Sequence, residues 1–238
     1  MLFLSALPLN PVEQFTKSVM GMMPWLVAGG AVVLTLGLVR AIWGAKIKGW
    51  VGEWLVQQSL ISKLNPKEYH VLGNLLLTDD KGKMTQIDHV VVSAYGVFVI
   101  ETKYWGGWIF GEENDAKWTQ MYNARSKKRV MNPLHQNARH VRVVRELLNL
   151  PPEHCHNLVY LHPTATLKSG WISGVFQKGL ARHIQAFREA VFHPSWPARA
   201  VAILREASRA DDKQAVAEHL AQVEDKHGGT TRRGRGGD

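Results

Sequence analysis

No charged side chain occurs between Ser18 and Val39, in "SVMGMMPWLVAGGAVVLTLGLV". As a helix this run is roughly 33 Å long, enough to cross a bilayer core of about 30 Å. Trp25 and Trp43 bracket it as interfacial anchors would. A buried core helix rarely runs this far without a charge. A cleaved signal peptide calls for a basic start, and the opening "MLFLSALPLNPVEQF" has no Lys or Arg. The expectation is a retained membrane helix over 18–43, with Pro24 near its start and a short non-cytoplasmic segment, 1–17, before it. Arg40, Lys46 and Lys48 follow the run and only Lys17 precedes it. The excess of basic residues on the C-terminal side predicts a single pass through the inner (cytoplasmic) membrane, with the bulk of the chain in the cytoplasm.

The remainder is long enough for one medium domain with a true core. Its charge favours polyanionic partners: 29 Lys and Arg face 20 Asp and Glu, a formal net charge of +9. With one cysteine, Cys155, no disulfide forms within the chain. The order of patterns predicts an α/β fold, a mixed β-sheet flanked by helices. A helix runs from Lys46 to about Leu64, a strand over Tyr69–Leu77, a turn at "TDDKGK", and a hairpin over Gln86–Lys103. A short strand around Trp108–Phe110 leads into a polar loop through Arg129. "NPLHQNARHVRVVRELLNL" opens a second helix, with Asn132 as N-cap and Pro133 at its first position. A strand over Asn157–Pro163 and helices over Lys178–Phe192 and Ala198–Val223 complete a C-terminal part, 158–224. A Gly/Arg-rich tail, 225–238, reads as disordered.

The hairpin "QIDHVVVSAYGVFVIETK" raises the chemical question. If Ala94–Tyr95 is a two-residue loop, Asp88 lies across from Glu101; a bulge at Gly96 shifts the pairing. Either way two carboxylates lie close on neighbouring strands, a like-charge juxtaposition that costs stability. A hard divalent cation offsets that cost, since magnesium prefers carboxylate oxygens. Lys103 shares the face of Glu101 and can reach a phosphate or a water. E-x-K by itself ends many strands in solvent; an acid a dozen residues earlier across a hairpin makes the pattern more specific.

These residues carry a family resemblance. "GE" at Gly52–Glu53, "QIDHVVVS" at Gln86–Ser93, "GVFVIETK" at Gly96–Lys103 and "NPLHQN" at Asn132–Asn137 resemble the NERD, or nuclease-related, domain over 47–157. That domain is similar to the PD-(D/E)XK nucleases, with their restriction-endonuclease-like fold. The resemblance implies a DNA nuclease dependent on Mg2+ (or Mn2+), acting in DNA processing or defence and using no small-molecule cofactor. Asp88 and Glu101 match its metal-binding acids, Lys103 its lysine, and Glu53 the acid on the first helix. Gln86 and Gln136 match polar positions, Gln136 within the catalytic set. Ile87 stands where a proline precedes the first acid in many such folds. Cleavage of both strands by this fold implies a homodimer. A silent nucleic-acid- or protein-binding module at the membrane, as in a DNA-transfer apparatus, is the alternative.

Seven basic residues and no acid lie between Arg125 and Arg145: Arg125, Lys127, Lys128, Arg129, Arg139, Arg142 and Arg145. They form either a solvated face or a surface that tracks phosphates beside the site. Trp105, Trp108 and Trp118 either stack on bases or pack at the core and rim. The spacing of "HCH" at His154–His156 is wrong for a structural zinc site. His89 points away from Asp88 on its strand and reads as a packing residue.

Overall fold

The computed structural model describes residues 10–212, 214–219 and 221. The expected tail over 225–238 lies outside them. The chain divides into two compact units between Lys48 and Gly49.

Helix α1 spans Pro11–Lys63. It takes the place of the two helices expected over 18–43 and 46–64, and it starts earlier because Asn10 and Pro11 supply the start signal. Asn10 Oδ1 accepts from the Glu13 backbone N–H at 2.8 Å, and Pro11 lacks only an N–H that would have no partner in the first turn. Pro24 therefore lies inside the helix rather than near its start. The stretch Pro11–Leu38 is long and apolar enough to cross a membrane, by length and composition. Its large apolar side chains, Trp25 and Leu34 among them, are exposed.

The second unit is built on a five-stranded sheet ordered β1-β2-β3-β7-β9. Strands β1 (Tyr69–Thr78), β2 (Met84–Ser93) and β3 (Gly96–Lys103) form an antiparallel meander. Strands β7 (Cys155–Leu161) and β9 (Val175–Phe176) extend it in parallel. Period-two alternation splits β2 and β3 into two apolar faces. Val90, Val92, Val97 and Val99 meet α2 (Pro133–Leu148) and α4 (Trp196–Ala207) through Val144, Leu148 and Leu204. Val91, Phe98 and Ile100 meet Val56 and Leu60 of α1 and Ile184 of α3 (Leu180–Ile184).

A smaller four-stranded sheet, ordered β6-β5-β4-β8, takes three strands from between β3 and α2 in sequence and its fourth from after β7. It comprises β4 (Gly107–Phe110), β5 (Lys117–Asn123), β6 (Ser126–Met131) and β8 (Ala165–Leu167). The region expected as a polar loop through Arg129 is thus the β5–β6 hairpin. Its inner face holds Trp118 and Gln120, and the polar residues around them mask the alternation.

Two expected helices are shorter. The one expected over 178–192 ends at Ile184, because Phe187 and Phe192 serve opposite faces of the large sheet, which one straight helix cannot do. Val191 and Phe192 instead donate their backbone N–H groups to Ala94 O in the β2–β3 loop. The one expected over 198–223 ends at Ala207. There Ser208 Oγ accepts from Leu76 N at 3.2 Å and Arg209 N donates to Leu76 O at 2.9 Å, so the backbone turns to satisfy β1. Residues 214–219 are helical again.

Candidate active site

The β2–β3 register decides where the two acids meet. Ser93 pairs with Gly96 across the two-residue loop Ala94–Tyr95, and the ladder runs without a bulge to His89 opposite Ile100. Gly96 adopts φ 146°, a region other residues avoid. One step further would set Asp88 against Glu101. There the ladder stops, and Asp88 Oδ2 accepts the Thr102 backbone N–H at 2.7 Å.

Glu101 is 2% exposed, an unusual position for a carboxylate. Its Oε1 takes Lys103 Nζ at 2.5 Å and Gln136 Nε2 at 2.8 Å. His140 Nδ1 lies 3.3 Å from Oε2, without hydrogen-bond geometry, and Oε2 has no hydrogen-bond partner among the described residues. Burial raises the Glu101 pKa, but Lys103 and His140 outweigh it and hold the carboxyl below its ordinary value.

Local sequence explains why α2 presents those side chains. Asn132 caps the helix, its Oδ1 accepting from Leu134 N at 2.9 Å. One turn on, buried Asn137 reaches Val99 O at 2.8 Å and Leu158 O at 3.0 Å, pinning α2 across β3 and β7. Gln136 and His140 are four residues apart, so they share the face that meets Glu101. Spacing from Gln136 was the signal by which sequence reasoning could have found His140, and it was missed. Asn137 was missed as well, since an asparagine inside a helix gives no sign of its partners.

Glu53 arrives from α1. A Cβ on Gly52 would lie 2.5 Å from Tyr104 Cδ2, so glycine permits the close approach of helix to strand end that positions Glu53. Tyr104 is itself held by stacking on His162, ring centroids 3.9 Å apart. Glu53 and Asp88 line a cavity of about 320 Å³ with Trp50, Trp54, Asn74 and His89. Gln86 lines it too, its Nε2 donating to Asn74 Oδ1 at 2.8 Å. Burial, then the Glu101 and Glu53 carboxylates, push Asp88 well above the usual carboxylate range. Burial and then Glu101 raise Glu53. Burial lowers His89 to about 4, and neither ring nitrogen has a hydrogen-bond partner among the described residues.

The donor chemistry fits a hard divalent cation: carboxylates close enough to raise one another, and a buried oxygen on Glu101 without a hydrogen bond among the described residues. Among the described residues, however, no three His, Cys, Asp or Glu side chains converge on one point. A cation held at Glu101 Oε1 must displace the Lys103 ammonium.

The basic residues fall into two groups. Arg125 lies in the β5–β6 turn, and Lys127, Lys128 and Arg129 on β6, all exposed. Arg139, Arg142 and Arg145 lie on α2. Arg142 Nε is 3.7 Å from Glu146 Oε1, and Arg145 Nε donates to Leu150 O at 3.5 Å. Trp118 is fully buried, Trp105 half-buried and Trp108 46% exposed. In the "HCH" segment His156 stacks on Phe98, centroids 4.8 Å apart. Cys155 is buried, which pushes its thiol up to about 12.

The family model of the nuclease-related domain, NERD, matches residues 48–162. An uncharacterized protein of Bacillus anthracis is 42% identical over 140 residues, 58% of this chain and 64% of that relative. The chain thus spans a little under two thirds of the relative's length. No solved structure matches it.

Proposed function

Residues 48–162 belong to the nuclease-related domain family, and from that premise we propose that the chain is a membrane-anchored, metal-dependent nuclease that hydrolyses phosphodiester bonds in DNA. Its work is DNA processing or defence. The observation that carries the reading is the buried Glu101 carboxylate, gripped by Lys103 and Gln136 beside Asp88 and Glu53. Asp88 and Glu101, with Glu53 completing the shell, would hold Mg2+ or Mn2+, which would supply charge neutralisation for the phosphoryl oxygens and a more acidic water. Gln136 fixes the rotamer of Glu101 through Oε1. Lys103, released from Oε1, orients the attacking water through its N–H groups or, once it has lost its own proton, takes that of the water. Thr102 N–H keeps Asp88 directed along the strand end. The exposed basic residues on β6 and α2 track the phosphate backbone. Cleavage of both strands requires two copies.

The stretch Pro11–Leu38 supplies the anchor, a single pass through the inner membrane with residues 49–238 in the cytoplasm. The support is its apolar length and the excess of Arg and Lys after it in sequence. A reporter fused after Asp238 and read on either side of the membrane tests that orientation.

The test of the chemistry uses the full chain in detergent with supercoiled plasmid and linear single-stranded DNA. Magnesium, manganese or EDTA is added, beside Glu101→Ala and Lys103→Ala. Metal-dependent nicking is expected, falling by at least about a thousandfold in Glu101→Ala. Unchanged cleavage in that variant refutes the assignment.

A second reading has its own support. Lys103 Nζ already neutralises Glu101, and no three acids converge among the described residues. A binding module that does not cut, in the manner of a DNA-transfer component, fits that arrangement. It is the better account if the wild type retains DNA in a salt-sensitive way and leaves it intact.

A further inference from the structure

We propose that the outer face of the four-stranded sheet is a binding platform for single-stranded nucleic acid. It is a recognition surface distinct from the carboxylate cavity, and it stands without the hydrolytic step.

The face is defined by alternation. In β4, Ile109 is fully buried, while Trp108 and Phe110 lie on the opposite face, 46% and 38% exposed. Strand register extends two rows from them. Trp108 pairs with Met121 and Met121 with Lys127; Phe110 pairs with Thr119 and Thr119 with Arg129. Lys117 lies on the same face of β5, and Lys168 Nζ stands 5.0 Å from the Trp108 ring centroid. The face therefore sets two aromatic residues, about 6.8 Å apart along the backbone of one strand, in rows that lead across β5 to two cations on the outer strand.

The solvent side of a sheet ordinarily carries polar residues. Edge strands do carry Lys and Arg to discourage strand pairing, and β6 is an edge. That role does not account for Trp108 and Phe110, which stand on β4 between β5 and β8. The acids nearest in sequence, Glu112, Glu113 and Asp115, lie in the β4–β5 loop rather than on these strands.

Charge complementarity and ring placement together select the occupant. An unpaired strand offers flat bases to stack and phosphates to neutralise, and stacking on an aromatic side chain is worth about five- to a hundredfold in affinity per base. A duplex hides its base faces and offers only phosphates. The rows of this face satisfy both needs of a single strand: Trp108 and Phe110 for successive bases, Lys127 and Arg129 for the backbone. DNA and RNA share that chemistry.

The test is fluorescence anisotropy of the full chain in detergent and EDTA, so that no cleavage intervenes. The probes are labelled oligothymidylate and oligouridylate of about 20 nucleotides, enough to cover one site, and a duplex of equal length. Single strands are expected to bind at least about tenfold more tightly than duplex. Trp108→Ala with Phe110→Ala weakens that binding by about tenfold or more, and Trp108→Phe with Phe110→Tyr restores it. Lys127→Gln with Arg129→Gln lowers the slope of log affinity against log salt by about 1 to 1.5. Should the alanine pair fail to fold, this exposed pair carries the test. Equal binding of duplex and single strand, wild-type binding by the folded alanine pair, or no oligonucleotide binding overturns the platform. No oligonucleotide binding by the wild type with plasmid cleavage intact refutes the platform alone; wild-type binding without cleavage refutes the nuclease alone.

Discussion

Of the eight residues of β3, seven are buried; of the six of β6, none is. The two strands typify their sheets. The five-stranded sheet is covered on both faces, by α2 and α4 on one and by α1 and α3 on the other. The four-stranded sheet buries one face, around Ile109 and Trp118, and leaves the other open. A carboxylate kept at 2% exposure needs a rigid frame, and the large sheet supplies it. Recognition needs accessible side chains on a fixed support, and the small sheet supplies that.

The contrast between the two faces of the small sheet is open to direct attack. Trp118→Ala removes a fully buried indole whose Nε1 donates to Glu112 O at 2.9 Å. It should cost about 3–5 kcal/mol. Trp108→Ala, ten residues earlier on the open face, should cost no more than about 1 kcal/mol. Urea unfolding of the two variants checks the pair, and equal losses would mean that the outer face is packed against something in solution.

His89 lies on the large sheet, and its burial gives a pH signature. Its folded pKa of about 4 lies below the ordinary value for histidine. The unfolded chain therefore takes the proton first as pH falls. Stability is full above about pH 6.5 and drains away toward pH 4, the loss approaching about 3 kcal/mol. His89→Phe should flatten that acid limb, as read from urea midpoints at neutral and acid pH. An unchanged limb would assign it to other groups.

Gly52 tests how α1 meets the end of β3. An added Cβ would lie 2.5 Å from Tyr104 Cδ2, and Tyr104 is held against His162. Gly52→Ala should cost about 1–3 kcal/mol. Tyr104→Ala in the same chain should recover part of that loss, which a double-mutant cycle measures. Additive losses would show that the crowding is relieved some other way.

How much of this was legible in the sequence depended on which interactions fixed each part. The β2–β3 hairpin was, because Ala94–Tyr95 between two apolar runs leaves few registers. Asp88, Glu101 and Lys103 therefore arrive where alternation puts them. Asn132 and Pro133 announced α2 by local chemistry alone. The β5–β6 hairpin was hidden, because "KWTQMYNARSKKRVM" has one buried face of few residues and an outer face of cations. The breaks after Ile184 and Ala207 were hidden for another reason: each is tied to backbone distant in sequence, through Ala94 O in the β2–β3 loop and Leu76 of β1. His140 stayed hidden although it sits one helical turn from Gln136, because its partner Glu101 is 39 positions away in the chain, beyond any local signal.

The basic run from Arg125 to Arg145 gives the smallest effect and the finest discrimination. In sequence it is one acid-free block; in the fold it is two. On β6, Lys127 and Arg129 share the open face with Trp108 and Phe110. On α2, Arg142 faces Glu146 across 3.7 Å with both side chains about half exposed, and Arg145 serves the carbonyl of Leu150. An exposed pair of that kind is worth no more than about 0.5 kcal/mol, so Arg142→Ala should shift the unfolding free energy by that much or less. Its charge is already met by Glu146, so the salt slope of oligonucleotide binding should stay within experimental error of the wild type. Lys127 has no ion-pair partner among the described residues, so Lys127→Gln should lower the slope by about 0.7 on its own. A larger change for Arg142→Ala than for Lys127→Gln would move the phosphate path from the small sheet to α2, beside Gln136 and Glu101.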